Sequence, residues 1–318
     1  MAKEYEINTL GQPNYYNATI RKYDVTFCIP DDVESNIKCN GIILFIPGFG
    51  GSVQSNVYKK MRQLFADEYK LITVQCNYFG SEFMQSTILP ENIDNFCEMG
   101  PIQAMDNLIA LKCAKDYLDE NGILYDDTNV IAYGHSHGAY LAYLMNALMP
   151  NVLSSIIDNS AWLYPKYIDN SRCLNIPNGN SIETIRFDYY ISKIIFDREI
   201  YLLNYLYELI ENKAKIISFH GIADDFISIN DKLNFLLNIK NSSIEIIGPK
   251  KLDEAFKAYT HGLNSDFLKM FNYVNNRYKT NLDQSVLLFE DRSFETRVAS
   301  YVIDNSDGIP ILYCNPKM

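Results

Sequence analysis

The chain has 318 residues, 47% hydrophobic and 21% charged, a composition that suits a globular protein with a large core and excludes disordered and fibrous classes. The formal net charge is -11 and no Lys/Arg run is dense enough to follow a phosphate backbone, which argues against a nucleic-acid partner. Seven cysteines form no C-x-x-C pair and leave one over, which argues against a disulfide framework or zinc ribbon and predicts a reducing, cytoplasmic compartment.

The opening residues are too polar for the apolar core of a signal peptide, and no apolar run approaches the roughly 18 residues that span a bilayer. No membrane partner is expected. Residues 21 to 29 alternate, with Tyr23, Val25, Phe27 and Ile29 on one face and Lys22, Asp24, Thr26 and Cys28 on the other. This is the period of a half-exposed strand and suggests an antiparallel edge. IILFI (42–46), LITVQC (71–76), NVIAY (129–133), VLSSII (152–157), KIISF (215–219) and SIEII (243–247) are short apolar or β-branched runs, suited to parallel strands covered on both sides.

Helical spacing fills the gaps. One stripe holds Val57, Met61, Leu64 and Phe65, and the next holds Ile102, Met105, Leu108, Ile109 and Cys113, with Pro101 at the first turn and Gly122 past the end. Residues 137–149 and 263–277 continue the alternation, which predicts one α/β domain over 1–318 with a mostly parallel sheet and helices on both faces. Residues 81–100 read as a mixed loop. Residues 162–213, with WLYPKY, FDYYISKIIF and YLLNYLYELI, separate two core strands by more than a crossover helix needs and read as an inserted cap. SVLLFE, ETRVASYVI and IPILYC predict a short antiparallel β appendage over 284–318.

Four histidines, His135, His137, His220 and His261, are the candidates for a base near neutral pH. Asn129 to Leu141 reads strand, then Gly134-His-Ser136-His-Gly138, then helix. Glycines on both sides of the serine allow the tight turn that lifts a nucleophile above a sheet, so Ser136 is the candidate nucleophile. Its proton needs a base, and that base needs a carboxylate to fix its tautomer. Asp224 follows a buried strand in HGIADD, and His261 lies in a loop ahead of the last helix. Asp225 and Asp158 are rivals for the acid. The turn PGFGGS (47–52) ends a buried strand and can aim backbone amides at an oxyanion, those of Phe49 and His137 being the candidates. It lacks the G-K-[ST] ending of a phosphate loop, and the chain has no G-x-G-x-x-G. His135 and His137 have a spacing that two metal ligands could share, but the chain continues Gly-Ala-Tyr and not Asp-His. No metal is expected. His135 is read as packed beneath the turn and His220 as structural. Tyr78, Gln103 and Trp162 are candidate substrate-contacting residues.

Through PGFGGS, GHSHG, HGIADD and THG in this order, residues 20 to 280 resemble the α/β-hydrolase superfamily of serine hydrolases. The resemblance implies an α/β-hydrolase fold with Ser136 as nucleophile, Asp224 as acid, His261 as base and the Phe49 and His137 amides as oxyanion hole. No cofactor is implied. The turn PGFGG departs from the His-Gly that many members carry there. EMGPIQAMDNL (98–108), YGHSHGAYLA (133–142) and SSIIDNSAW (154–162) resemble a bacterial hydrolase-like family, a domain of unknown function whose genes often neighbour flagellin-glycosylation genes. That narrower resemblance implies a small-molecule or glycoconjugate ester as substrate. Amide cleavage and acyl transfer use the same first step, and a non-catalytic binding protein on this fold is the competing class. Oligomeric state is not legible.

Overall fold

Alternate residues of a five-residue apolar strand feed two different cores, and this organises the molecule. The structure, a computed structural model, describes residues 1–31, 38–85, 90–178 and 181–317. Residues 86–89 of the expected mixed loop, 179–180 of the expected cap and 318 of the expected appendage lie outside the described residues. In chain order the elements are β1 (Lys3–Leu10), β2 (Lys22–Ile29), β3 (Ile42–Ile46), α1 (Asn56–Tyr69), β4 (Ile72–Cys76), α2 (Ser81–Gln85), α3 (Pro101–Glu120), β5 (Val130–His135), α4 (His137–Leu148) and β6 (Ser155–Asn159). Then come β7 (Arg172–Asn178), β8 (Ser181–Phe187), α5 (Ile191–Ile194), α6 (Leu203–Glu208), β9 (Lys215–Gly221), α7 (Ile229–Leu237), β10 (Ser242–Ile247), α8 (Phe267–Asn275), β11 (Arg292–Glu295), β12 (Ala299–Asp304) and β13 (Ile311–Pro316).

The main sheet runs β1-β2-β4-β3-β5-β6-β9-β10. It is parallel from β4 to β10, and β2 is antiparallel to both its neighbours. In β3, Ile43 and Phe45 join Met61 and Phe65 of α1 and Met270 and Phe271 of α8. Ile42, Leu44 and Ile46 join the larger core that includes α3 and α4. Period-two side-chain direction, with helices on both faces, accounts for the unbroken burial of β3 and β4. This is the doubly covered, mostly parallel sheet expected from the sequence.

Several details differ from the sequence expectation. The strand at 22–29 is second from the edge, because β1, whose short polar-apolar alternation gave no signal, pairs outside it. Thr26 and Cys28 are consequently buried along with the apolar face. The stripe on α1 is rotated: Tyr58, Met61, Arg62, Phe65 and Ala66 are buried, whereas Val57 and Leu64 are 56% and 41% exposed. Buried Arg62 reaches Glu4, Gln75 Oε1 and the Val53 carbonyl, so a polar anchor takes a place that hydrophobic counting assigns to a leucine. SVLLFE is not a strand. Its Val286 and Leu287 are buried while their amides donate to the Asp127 and Val152 carbonyls.

Between β6 and β9 the chain leaves the sheet and forms the β7–β8 hairpin and two short helices. Trp162, Tyr189 and Tyr201 of this insertion are buried in the main core, and Tyr140 of α4 donates to the Tyr201 carbonyl. After α8, β11-β12-β13 form an antiparallel sheet, tied to the body where Gln12 exchanges hydrogen bonds with the Leu312 backbone. Among the described residues no helix is long and apolar enough to cross a membrane.

Candidate active site

The turn from β5 into α4 carries Ser136 at φ 53, ψ −116, a left-handed conformation uncommon for a residue with a side chain and the kind of strain found at functional turns. The glycines on either side let the turn pack this closely. A Cβ on Gly138 would stand 2.0 Å from the Ile46 carbonyl oxygen, and one on Gly134 would stand 2.4 Å from the Ala139 backbone. Helix α4 therefore starts against the end of β3, and the Ser136 amide is fixed by donating to the Asn159 carbonyl at 2.7 Å.

Two loops at the same end of the sheet reach this serine. Ser136 Oγ lies 2.6 Å from His261 Nε2, and His261 Nδ1 lies 2.9 Å from Asp224 Oδ2. The order Ser136, Asp224, His261 along the chain thus becomes Ser–His–Asp in space. The loops brace one another, since Ala223 donates to the Tyr259 carbonyl and Gly221 lies so close to Tyr259 that a Cβ would be 2.4 Å from its carbonyl oxygen, and the His261 loop is tied to the end of β6 where the Gly262 amide donates to Ser160 Oγ at 3.0 Å. Asp224 Oδ1 accepts from the Phe226 and Ile227 amides. Burial opposes charge on Asp224, but the His261 hydrogen bond and these amides outweigh it and hold the carboxyl below the ordinary aspartate range.

The rival carboxylates lie elsewhere. Asp225 is exposed. Asp158 is buried and pairs with Lys232 at 2.5 Å, accepting also from Tyr143, Ser218 and the Ala161 amide. Lys232 is buried with it, a partner that the sequence concealed because a helix lysine ordinarily faces water.

Burial lowers the pKa of each remaining histidine. His135 sits between the turns at Gly48 and Gly262, where added Cβ atoms would come within 2.7 and 2.6 Å of its ring nitrogens, and burial followed by the His261 charge pushes its pKa down to about 4. His137 is buried, its Nε2 2.8 Å from Gln103 Oε1, and burial pushes it to about 3. His220 is lowered by burial and then by Lys232, with Nε2 3.0 Å from the Ile227 carbonyl. Among the described residues no group of three or more His, Cys, Asp and Glu is arranged to hold a metal ion.

The turn after β3 passes beside the serine. Among the described residues neither the Phe49 nor the His137 amide donates to a protein acceptor. Of the three substrate-contact candidates, Tyr78 and Gln103 are buried behind this turn. Tyr78 donates to the Pro47 carbonyl, and Gln103 joins His137 to the Phe79 carbonyl. As placed, both support the turn and the elbow. Trp162 is buried too, stacked on Phe49 at 5.7 Å and 5.2 Å from the His137 ring. Phe226, which sequence reasoning missed, stacks on His261 with ring centroids 4.4 Å apart. Only its place two residues after Asp224 hinted at it.

A family model described as a protein of unknown function, DUF2920, matches residues 80–275, more than half of the chain. No curated protein sequence matches. Among solved structures the chain is similar to an acylaminoacyl peptidase of Pyrococcus horikoshii at 14% identity and TM-score 0.58, covering 89% of this chain and 43% of that one. It is similar to the peroxisomal α/β-hydrolase Lpx1 of Saccharomyces cerevisiae at 14% and 0.56, covering 90% and 93%. An S-formylglutathione hydrolase of Agrobacterium tumefaciens stands at 12% and 0.54, covering 86% and 94%. The chain spans less than half the length of the peptidase but nearly all of the other two. At these identities the likeness shows the fold, that of the α/β-hydrolases.

Proposed function

This chain belongs to the DUF2920 family, and we propose that it is a serine hydrolase that cleaves a carboxylic ester through an acyl-enzyme at Ser136. The observation that carries the reading is the unbroken relay Ser136 Oγ, His261 Nε2, His261 Nδ1, Asp224 Oδ2, with contacts of 2.6 and 2.9 Å, at a strained turn. His261 Nε2 takes the hydroxyl proton as Oγ attacks the ester carbonyl, while Asp224 holds Nδ1–H and stabilises the imidazolium. The Phe49 and His137 amides receive the oxyanion. The proton on His261 passes to the leaving alcohol as the C–O bond breaks. Water, deprotonated by the same nitrogen, then releases the acid and restores Ser136.

No step draws on a cofactor. The cap reading of residues 162–213 belongs to the same proposal, since Trp162 and Tyr167 lie against Phe49 at the serine's turn. The test is covalent labelling with a fluorophosphonate, followed by turnover of short p-nitrophenyl esters and an acetylated sugar. Wild type labels at Ser136 and turns over an ester, and Ser136→Ala does neither. Equal labelling of Ser136→Ala, or none of the wild type, refutes the assignment.

A further inference from the structure

Two basic side chains from the insertion reach the aromatic walls of the site, one at each end. Lys166 Nζ lies 3.3 Å from the centroid of the Phe226 ring. The His261 imidazole stacks on that ring at 4.4 Å and 23°, and one face has no room for both, so the ammonium occupies the other. At the opposite end, the Arg172 guanidinium lies 4.9 Å from the centroid of Phe49, in the turn beside Ser136. The Tyr167 ring joins the two ends, with Lys166 Nζ at 5.4 Å and Arg172 Cζ at 6.0 Å from its centroid.

Neither cation has a carboxylate in contact among the described residues, in a chain with 39 acidic residues against 28 Lys and Arg. Arg172 is nevertheless held in place. Its Nη1 donates to the Met84 carbonyl at 3.1 Å and lies 2.9 Å from Tyr189 Oη, two neutral acceptors that, among the described residues, leave Nε and Nη2 uncommitted. A guanidinium tethered by one nitrogen and open along its other edge is arranged for a bidentate anion. Among the described residues the Lys166 ammonium has no hydrogen-bond acceptor on the protein, its backbone carbonyl alone being engaged, by Asn170, and partial burial lowers its pKa from the usual lysine value, against the raising effect of Asp225 and Asp224. Contact with an aromatic face is attractive for a cation, yet it gives the ammonium N–H groups no protein acceptor among the described residues. A substrate anion drawn to these cations would supply one. The need is sharper because a net charge of -11 repels anions at long range and only local cations can reverse the field at the site.

Resting on the reading of Ser136 as nucleophile, we propose that the substrate is an ester carrying a free carboxylate on its acyl or its alcohol side, that the Arg172 guanidinium binds this carboxylate, and that the Lys166 ammonium is the second cation that draws it to the site. They act on recognition and touch no reacting atom.

The test compares matched esters. For the acyl side the pair is mono-p-nitrophenyl succinate against p-nitrophenyl butyrate, and for the alcohol side 4-acetoxybenzoate against 4-methylphenyl acetate. In at least one pair wild type favours the anionic ester in kcat/KM, and added salt reduces that preference. Arg172→Gln and Lys166→Gln each lower the anionic-to-neutral ratio at least about tenfold, and Arg172→Lys and Lys166→Arg restore part of it. Melting temperature measured in parallel keeps a folding defect apart from a binding one. If wild type labels with the fluorophosphonate and turns over esters but shows no anionic preference in either pair, or if the Gln variants leave the ratio unchanged, the carboxylate proposal fails while the hydrolase reading stands. If wild type neither labels nor turns over any ester, both fail together.

Discussion

Oδ2 of Asp224, the oxygen that meets His261 at 2.9 Å, also lies 3.8 Å from Nδ1 of His220. Two imidazoles therefore face one carboxylate oxygen, and only one of them holds it. His220 Nε2 stands 3.0 Å from the Ile227 carbonyl, which can only accept, so that nitrogen carries the proton and Nδ1 is bare. Burial and the nearby Lys232 charge keep His220 from taking a second proton. The carboxylate is thereby reserved for His261, although His220 is only four residues from Asp224 along the chain.

Asp224→Asn is expected to lower kcat by about 10⁴-fold, because the amide permits the wrong tautomer of His261. Asp225→Asn, at an exposed position, should stay within about threefold of wild type, in line with the small effects of surface changes. Asp225→Asn should melt close to wild type, and Asp224→Asn somewhat lower near neutral pH, because a carboxyl with a lowered native pKa stabilises the folded state there. Ester turnover per fluorophosphonate-titrated site separates them, and equal losses in the two variants would remove Asp224 from its role.

Asp158 should show the opposite signature. Removing its charge with Asp158→Asn leaves the Lys232 ammonium buried and unpaired, which costs about 3–5 kcal/mol. The expected result is a large fall in the urea midpoint. Asp158→Asn combined with Lys232→Met should recover part of it, since no uncompensated charge then remains. An unchanged midpoint in the single variant, with activity lost, would instead make Asp158 the acid.

The elbow gives a steric prediction. Gly138→Ala places a methyl 2.0 Å from the Ile46 carbonyl oxygen, backbone that cannot yield without separating α4 from β3, so soluble active protein is not expected. Gly122→Ala meets nothing within 4 Å and is strained only by its φ of +66, at a cost of about 1 kcal/mol. Comparing soluble yield and melting temperature of the pair isolates packing from backbone strain.

What the sequence made legible follows from how locally each feature is encoded. Runs such as IILFI and KIISF announce buried strands because every residue of them but Lys215 is buried, and the turn at Ser136 is readable because two glycines and a serine must sit at fixed offsets in it. Asp224 and His261, 37 residues apart, could be ordered along the chain but not brought together by any local pattern. The Arg62 anchor, the Asp158–Lys232 pair and the Lys166–Phe226–His261 stack are invisible to periodicity. Each depends on which distant element covers a polar residue, and a helical arginine or lysine reads as solvent-facing until that cover is known.

Glu98 yields a pH prediction. Its carboxyl is buried beside the start of α3, where it accepts from Tyr201 at 2.6 Å, Tyr15 at 3.2 Å, and the Gly100 and Ile102 amides. Burial raises its pKa from 4.5 to about 7, against the lowering effect of those donors. An acid with a raised native pKa keeps its proton in the folded state over a range in which the unfolded chain has lost it. Stability is then greatest below the unfolded value and falls as pH rises from 4.5 toward 7, by about 3 kcal/mol, flattening above. Glu98→Gln retains the shape, can offer its amide oxygen to the Gly100 and Ile102 amides and turn its NH₂ toward the tyrosine oxygens, and has no proton to lose. Urea unfolding of wild type and Glu98→Gln at pH 5 and pH 7.5 should show the variant gaining on wild type at the higher pH. Taking the difference between the two proteins cancels the contributions of Glu91 and Asp106, whose pKa values burial also raises. A difference that does not change with pH would mean that Glu98 is already ionised in the folded protein at pH 5.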